Sequence, residues 1–134
     1  MSFPAAEALD ASGVDRVRLA VLLPDVDPAR VPVLAAPKWF RMLWAPQVIA
    51  VALPWGIYVG PDQIREPRSA LGPLVVHELT HLEQWRLLGP LRWVHVYLGE
   101  YLRSRWAGLT HHAAYRAISL EVEARDIARR LAVG

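Results

Sequence analysis

The spacing of apolar and polar positions divides the chain into a strand-rich first part and a helical second part. Short runs rich in β-branched and aliphatic residues at 16–23, 49–53 and 57–60 predict three strands, the last two joined by a tight turn. Four prolines between residues 24 and 37 predict a loop-rich passage after the first strand. After residue 60 the apolar spacing becomes that of helices, and no further strand is predicted.

Three helices are predicted in the second part. The first, at residues 73–88, lies between two Gly-Pro pairs, which favour a helix start at the first pair and an end at the second. The second spans 91–105 and carries an apolar stripe, and the third spans 120–131 with Ser119 as its N-cap. The stripe of the second helix consists of Leu91, Val94, His95, Leu98, Tyr101 and Leu102. The predicted fold is therefore α+β, with a small N-terminal sheet packed on the first of these helices and two further helices after it.

Composition adds that the chain is globular and of one-domain size. It has 134 residues, of which 54% are apolar and 21% charged, and residues 1–134 are predicted to form a single domain. Its six tryptophans are predicted to lie in the core and to line the pocket. Cysteine is absent, which excludes disulfides, thiolate metal sites and thiol nucleophiles.

The charge pattern predicts no nucleic-acid partner, and no segment is predicted to span a membrane; peripheral membrane contact and the oligomeric state are left open by the sequence. The net charge is +2, and the fourteen arginines and single lysine form no concentrated basic stripe. The first residues lack the basic start and long apolar stretch of a signal peptide, and the uncharged run at 45–60 is too short and too broken by proline to span a membrane. A cytoplasmic location is the resulting expectation.

The candidate chemistry lies in the first predicted helix, which contains the sequence HELTH. His77 and His81 are about one turn apart at about 3.6 residues per turn, so both imidazoles project from one face and can reach one ion. Glu78 lies at the edge of that face. This is the HExxH arrangement, in which two histidines hold zinc and the glutamate takes a proton from a water molecule. The alternative is an ordinary helix that happens to contain histidines. With this composition, the three residues would fall into the HExxH spacing by chance on the order of once in a hundred such chains.

A hydrolytic zinc site takes a third protein ligand, and the spacing alone leaves its identity open. The metzincin pattern would need glycine at position 84 and histidine at 87, where this chain has Gln84 and Leu87. The remaining candidates are Glu121, Glu123, His111 and His112. The predicted buried stripe of the third helix runs between the two glutamates, so either can face inward.

HELTH followed some forty residues later by EVEA resembles the gluzincin class of zinc metallopeptidases, including short HExxHxxQ proteins that carry a tyrosine before an ExEA segment. The resemblance covers roughly residues 48–127. It implies a minimal zincin in which Glu121 is the third zinc ligand. The aspartate that orients a zinc-bound histidine in that class falls on Arg125, which is a departure from the pattern.

The leading hypothesis is thus a zinc-dependent peptidase acting on peptide or protein substrates. Glu78 is the predicted general base and Tyr115 the predicted donor to the oxyanion, chosen over His111, His112 and Arg116. By analogy with zincins, residues 57–60 are predicted to be an edge strand that aligns the substrate. There are two alternatives. The first is a zinc-binding module without catalysis, in which the metal stabilises the domain or a partner-binding surface. The second is a metal-free helical scaffold.

Overall fold

The computed structural model describes residues 2–132, and it confirms an α+β fold with one small sheet. The four strands are β1 (Ser2–Pro4), β2 (Pro32–Ala35), β3 (Ala50–Leu53) and β4 (Gly56–Val59). Their order in space is β1, β2, β4, β3. β2 is antiparallel to β1 and parallel to β4, and β3 and β4 form an antiparallel hairpin.

The predicted hairpin is confirmed, but its position in the sheet differs from the expectation. The strand predicted at 57–60 corresponds to β4, which is an interior strand because β2 pairs with its other side. The prediction that this segment is the substrate-aligning edge strand is therefore wrong. β3 occupies that edge of the sheet instead.

The strand predicted at 16–23 is also wrong, because this segment is helix α2 (Arg16–Leu22). The carboxylate of Asp15 accepts hydrogen bonds from the backbone N–H groups of Val17 and Arg18, which is an N-cap. Leu19 and Leu23, four residues apart, are buried, whereas Val17 is 77% exposed. The burial pattern thus follows the helical period of the segment, although its sequence also alternates as a strand would.

Two strands escaped the sequence analysis because they are short and contain proline. Pro4 of β1 and Pro32 of β2 lie opposite each other in the register. Proline fits such positions at the end or edge of a sheet, where no ladder hydrogen bond is needed from its nitrogen. The proline-rich passage predicted as loop therefore contains the strand that joins the two halves of the sheet.

Helices surround the sheet, and the three predicted helices are present with nearly the predicted bounds. The helices other than α2 are α1 (Ala5–Ala11), α3 (Lys38–Arg41), α4 (Pro61–Arg65), α5 (Gly72–Leu88), α6 (Pro90–Trp106), α7 (His111–Ala117) and α8 (Ser119–Arg130). Gly89 separates α5 from α6 with φ at +79°, a conformation that favours glycine. α1, α3, α4 and α7 were not predicted.

The start of α8 differs from the prediction that Ser119 is its N-cap. The N-cap residue is Ile118, and Ser119 is the first helical residue. Both the backbone N–H and the hydroxyl of Ser119 donate 2.8 Å hydrogen bonds to the carboxylate of Glu100 on α6. A side chain from α6 therefore satisfies the helix start that a local serine was expected to cap.

α5 is the central helix, since it packs against α1, α6, α8 and β3. Its apolar side chains Val75, Val76 and Leu79 are 0–1% exposed and join a core with Leu9 and Ile57. Burial on most sides of α5 means that any polar group on it must find a partner inside the protein. No helix within residues 2–132 is long and apolar enough to cross a membrane.

α6 contradicts the predicted burial of its apolar stripe. None of its residues is buried, and Leu91, Val94, Leu98 and Leu102 are 47–90% exposed. The prediction that all six tryptophans lie inside is also wrong, because Trp39, Trp55 and Trp106 are 64–94% exposed. The opposite face of α6 is the one that meets the rest of the protein, and it supplies aromatic rings to the site described next.

Candidate metal centre

The two histidines of HELTH meet the predicted glutamate inside the protein. The Nε2 atoms of His77 and His81 lie 3.3 and 2.6 Å from the same oxygen, Oε1 of Glu121. The two imidazole rings come from consecutive turns of α5, with centroids 5.0 Å apart. Glu121 comes from the first turn of α8, the helix that packs along α5. The structure thus brings together the three residues predicted as metal ligands.

The other candidates for a third ligand lie elsewhere. Glu123 is exposed, and its carboxylate accepts a hydrogen bond from Gln84. The ring of His111 is exposed and lies between Gln47 and Tyr101, with a 2.7 Å contact to each. His112 is exposed as well. Of these candidates, Glu121 alone lies against the histidine pair, because it is on the buried face of α8.

The donor set fits a divalent metal such as zinc. Ligand atoms of His77, His81 and Glu121 all lie within 4.8 Å of one another, a separation that one ion at about 2.0–2.2 Å from each can bridge after small side-chain adjustments. Glu121 is 2% exposed, and its Oε2 atom has no hydrogen-bond partner within residues 2–132. An orphaned buried carboxylate oxygen is costly unless something further binds it, and a cation beside the two imidazoles would do so.

Ionisation of the cluster reflects mutual charge stabilisation. Burial alone would raise the pKa of Glu121, but hydrogen bonds from His77 and His81 outweigh burial and lower it below the ordinary range. Burial likewise opposes the charged form of His81, yet the hydrogen bond to Glu121 and the charges of Glu78 and Glu121 raise the pKa of His81 to about 9. Without a metal, Glu121 and His81 therefore carry opposite charges at neutral pH and form a buried ion pair.

Glu78, the predicted general base, is buried beside the histidine pair. It is 6% exposed and lines two neighbouring cavities. Burial raises the pKa of Glu78, while the neighbouring histidines oppose the shift. A carboxylate held in a desolvated site with a raised pKa has the properties of a general base that takes and returns a proton.

Gln84 is a site residue that the sequence analysis named without assigning a role. Its Oε1 atom lies 2.9 Å from Nδ1 of His81 and accepts a 3.3 Å hydrogen bond from Nε1 of Trp93. Its Nε2 atom donates 2.9 Å hydrogen bonds to the backbone carbonyl of Leu120 and to the carboxylate of Glu123. With Nδ1–H donating to Gln84, the Nε2 atom of His81 is the one left to bind a metal.

In the gluzincin pattern an aspartate makes the orienting contact to a ligand histidine. In this chain, Gln84 contacts His81 instead. At the corresponding position, Arg125 points its guanidinium elsewhere and donates to the backbone carbonyl of Arg116. Gln84 lies one helical turn beyond His81, so the contact between their side chains could be predicted from the spacing. The bonds to Trp93 and Leu120 depend on how α6 and α8 pack, and no local pattern predicts them.

A small cavity of about 150 Å³ lies directly beside the cluster. Its lining includes Ala50 and Ala52 of the edge strand β3, and the aromatic residues Tyr97 and Tyr115. Burial, followed by the charge of Glu121, raises the pKa of Tyr115, and the same two causes raise the pKa of Tyr97. Both phenols are therefore protonated at neutral pH and are able to donate a hydrogen bond.

Tyr97 was not predicted as a site residue. It belongs to an aromatic stack in which Trp85 and Trp93 lie 4.2 Å apart, and Trp93 and Tyr97 4.7 Å apart, both with ring planes 17° from parallel. Trp93 and Tyr97 are one turn apart on α6, on the side opposite the predicted stripe. The aromatic pair at i, i+4 was the sequence feature that could have indicated this buried face. The leucine stripe predicts the opposite face to be buried instead.

A larger cleft of about 690 Å³ adjoins the small cavity, and both are lined by Glu78. Residues of α5 and the segment before β3 form one wall, and residues of α7 and α8 form the other. His77, Glu78 and Tyr115 all border this cleft. The volume is within the range of about 300–1,000 Å³ that is usual for ligand sites.

In comparisons with protein-family models, curated proteins and solved structures, nothing matches this chain.

Proposed function

We propose that the protein is a zinc-dependent metallopeptidase that hydrolyses peptide bonds. The observation that carries the proposal is the convergence of the His77 and His81 Nε2 atoms on the buried carboxylate of Glu121, with the buried carboxylate of Glu78 next to them. A two-histidine, one-glutamate ligand set leaves one position of a tetrahedral zinc open, as hydrolytic zinc sites require. The resemblance of HELTH and EVEA to gluzincins supports the same function.

The residues of the site have distinct roles in this proposal. Zinc, when bound by His77, His81 and Glu121, supplies a Lewis acid that polarises the substrate carbonyl and lowers the pKa of water. Glu78 takes the proton from the attacking water and then gives it to the leaving amine. Tyr115 donates a hydrogen bond to the oxygen of the scissile carbonyl as negative charge develops there. Gln84 holds the His81 ring in the orientation that points Nε2 at the ligand cluster.

The edge strand β3 is the proposed guide for the substrate. It pairs with β4 on one side, and its residues Ala50 and Ala52 line the small cavity beside the cluster. The Ala52 carbonyl accepts a 3.1 Å hydrogen bond from the indole of Trp85. An extended peptide that adds to the remaining N–H and C=O groups of this edge would pass the ligand cluster. This step rests on analogy with strand addition in other peptidases.

The alternative from a different class is a zinc-binding module without catalysis. A structural zinc site is closed by four protein ligands, whereas the described cluster offers three. The two cavities lined by Glu78 also favour catalysis, because a substrate needs space beside the metal and a purely structural zinc site does not. The absence of cysteine suits a reducing compartment, and we extend the proposal to the cytoplasm on that ground.

The proposal is tested with zinc-loaded wild-type protein and a Glu78→Gln variant. Both are incubated with a mixed peptide library, and cleavage is followed by mass spectrometry while zinc is measured by elemental analysis. We expect zinc in both proteins and cleavage by the wild type alone, since glutamine cannot accept the proton. Glu66→Gln, which changes an exposed glutamate, is the matched control and should cleave like the wild type. Zinc binding without any cleavage would favour the non-catalytic module.

A further inference from the structure

The larger cleft next to Glu78 has one strongly basic wall. Three arginines border it on the α7–α8 side, namely Arg116, Arg125 and Arg129. The facing wall is mainly apolar and includes Val48, Ile49 and Leu74. Within residues 2–132, Glu78 is the single acid in the cleft lining. The arginine wall is therefore not neutralised by acids of the cleft itself.

Arg125 is held by a hydrogen bond and is half-buried, whereas the other two arginines are exposed. The Nη2 atom of Arg125 donates to the backbone carbonyl of Arg116, which leaves most of its N–H donors for another acceptor. Arg116 itself is exposed at the end of α7. Arg129 lies at the rim, where it is 78% exposed and forms a 3.5 Å ion pair with Asp126. The pair most available to a ligand is thus Arg125 with Arg116.

The charges in the cleft lining also indicate which side suits a negative group. Glu78 repels an anion on the α5 side, whereas the guanidinium groups attract one on the α7–α8 side. Guanidinium groups match carboxylates in geometry, because they present paired N–H donors in a fixed plane. The surrounding apolar wall reduces competition from water.

We infer that the cleft binds peptide substrates through a carboxylate, held by Arg125 and Arg116 while the scissile bond lies at the zinc ligands. The carboxylate is an Asp or Glu side chain or the free C-terminus of the peptide. The inference rests on the proposed function and adds the substrate class to it. It assigns Arg125, which departs from the gluzincin pattern, to substrate binding.

The test measures peptide binding to the zinc-loaded Glu78→Gln variant, so that cleavage does not consume the probe. Three N-acetylated octapeptides of otherwise identical sequence are compared by fluorescence anisotropy. The first has one glutamate, scanned through the peptide, and an amidated C-terminus; the second has glutamine there and a free C-terminus. The third has glutamine and an amide, and therefore no carboxylate. Comparing the first two peptides distinguishes the two sources of the carboxylate.

Binding is repeated with Arg125→Gln, Arg116→Gln and Arg125→Lys added to the same background. The control is Arg92→Gln, which removes an exposed arginine of α6 outside the cleft lining. We expect at least one carboxylate peptide to bind about tenfold more tightly than the amide peptide, and both glutamine variants to lose most of that preference. Arg125→Lys should retain part of it, since lysine keeps the charge but not the paired donors. Added salt should weaken the preference.

Equal binding of all three peptides, no binding of any of them, or a preference that survives both glutamine variants would overturn the inference. The proposed function fails in a different way. Wild-type protein that cleaves peptides without a carboxylate preference would keep the peptidase and remove the inference. A carboxylate preference in binding, with no cleavage by zinc-loaded wild type, would keep the carboxylate site at Arg125 and Arg116 and remove the peptidase.

Discussion

The Oε1 atom of Gln84 lies 2.9 Å from Nδ1 of His81, one helical turn away on α5. The same side chain donates to the backbone carbonyl of Leu120, next to Glu121 in the sequence. One glutamine therefore contacts one proposed zinc ligand directly and fixes the backbone beside another. This double contact gives a first prediction.

Replacing Gln84 by methionine should weaken zinc binding by about 10–100-fold, because the orientation of His81 is no longer fixed. Stability should fall by about 1–3 kcal/mol, since the Leu120 carbonyl loses its donor in a buried place. Zinc affinity is measured by competition with a chromophoric chelator and stability by urea denaturation. Gln63→Met, a change outside the cluster, is the control. Unchanged zinc affinity in Gln84→Met would show that His81 needs no such partner.

The identity of the third ligand gives a second prediction. Freshly purified wild-type protein and Glu123→Ala should each contain about one zinc per chain, whereas Glu121→Ala should contain little. The reason is geometric, because Glu121 is buried against both histidines and Glu123 is exposed. Elemental analysis measures the metal content. Zinc retained in Glu121→Ala and lost in Glu123→Ala would reverse the assignment.

The HELTH helix was predictable because its features are local. Two Gly-Pro pairs bound it, and one helical turn places His77 and His81 on one face. The choice of Glu121 over Glu123 was not local, since it depends on which side of α8 packs against α5. The resemblance to gluzincins pointed to Glu121, and the described geometry agrees. Tyr97 stayed unpredicted because its place beside the cluster depends on which face of α6 packs against the rest of the protein.

The errors in the fold prediction have two physical causes. In α2, the capping by Asp15 and the burial of Leu19 favour a helix, although the sequence alternates as a strand would. In α6, the leucine stripe satisfied the criterion for a buried face, yet the aromatic face with Trp93 and Tyr97 is the one that packs. Periodicity shows that α6 has an apolar face, but this face is exposed and the aromatic face is the one that packs.

The two tyrosines of the small cavity give a third prediction. Tyr115→Phe should lower kcat by about a hundredfold with little change in KM, because the donor acts on charge that develops in the transition state. Tyr97→Phe should lower kcat by less than about tenfold, since the Trp93 stack still holds its ring in place. Both variants are assayed on a peptide cleaved by the wild type. A larger loss in Tyr97→Phe would make Tyr97 the oxyanion donor.

A fourth prediction concerns the close approach of α5 to the end of α1. A Cβ atom added at Gly72 would lie 2.5 Å from the Cβ and 2.6 Å from the Oγ of Ser12. That hydroxyl donates a 3.0 Å hydrogen bond to the carbonyl of Ser69, which limits its movement. Gly72→Ala should therefore destabilise the protein by about 1–3 kcal/mol.

Gly99 offers a matched control for this change. It lies within α6 with no atom within 4 Å of an added Cβ, so Gly99→Ala should stabilise by about 0.5–1 kcal/mol through helix propensity. Urea denaturation of both variants measures the two free energies of unfolding. Equal effects would mean that Ser12 gives way easily and that the α1–α5 contact is loose.

The last prediction follows from the ionisation of the ligand cluster in protein stripped of zinc. The pKa of His81 is raised from its ordinary value of 6.5 to about 9, so its contribution to stability is complete below pH 6.5 and is lost as pH rises through about 9. The pKa of Glu121 is lowered from 4.5, so its contribution is present above pH 4.5 and is lost as pH falls below that. In chelator, Tm should therefore decline between pH 6.5 and about 9. Glu121→Gln removes the charge pairing and should flatten that decline, and zinc should suppress it in the wild type, because the metal binds neutral imidazoles. A decline of equal slope in Glu121→Gln would mean that other groups set the pH dependence and that the cluster is not an ion pair.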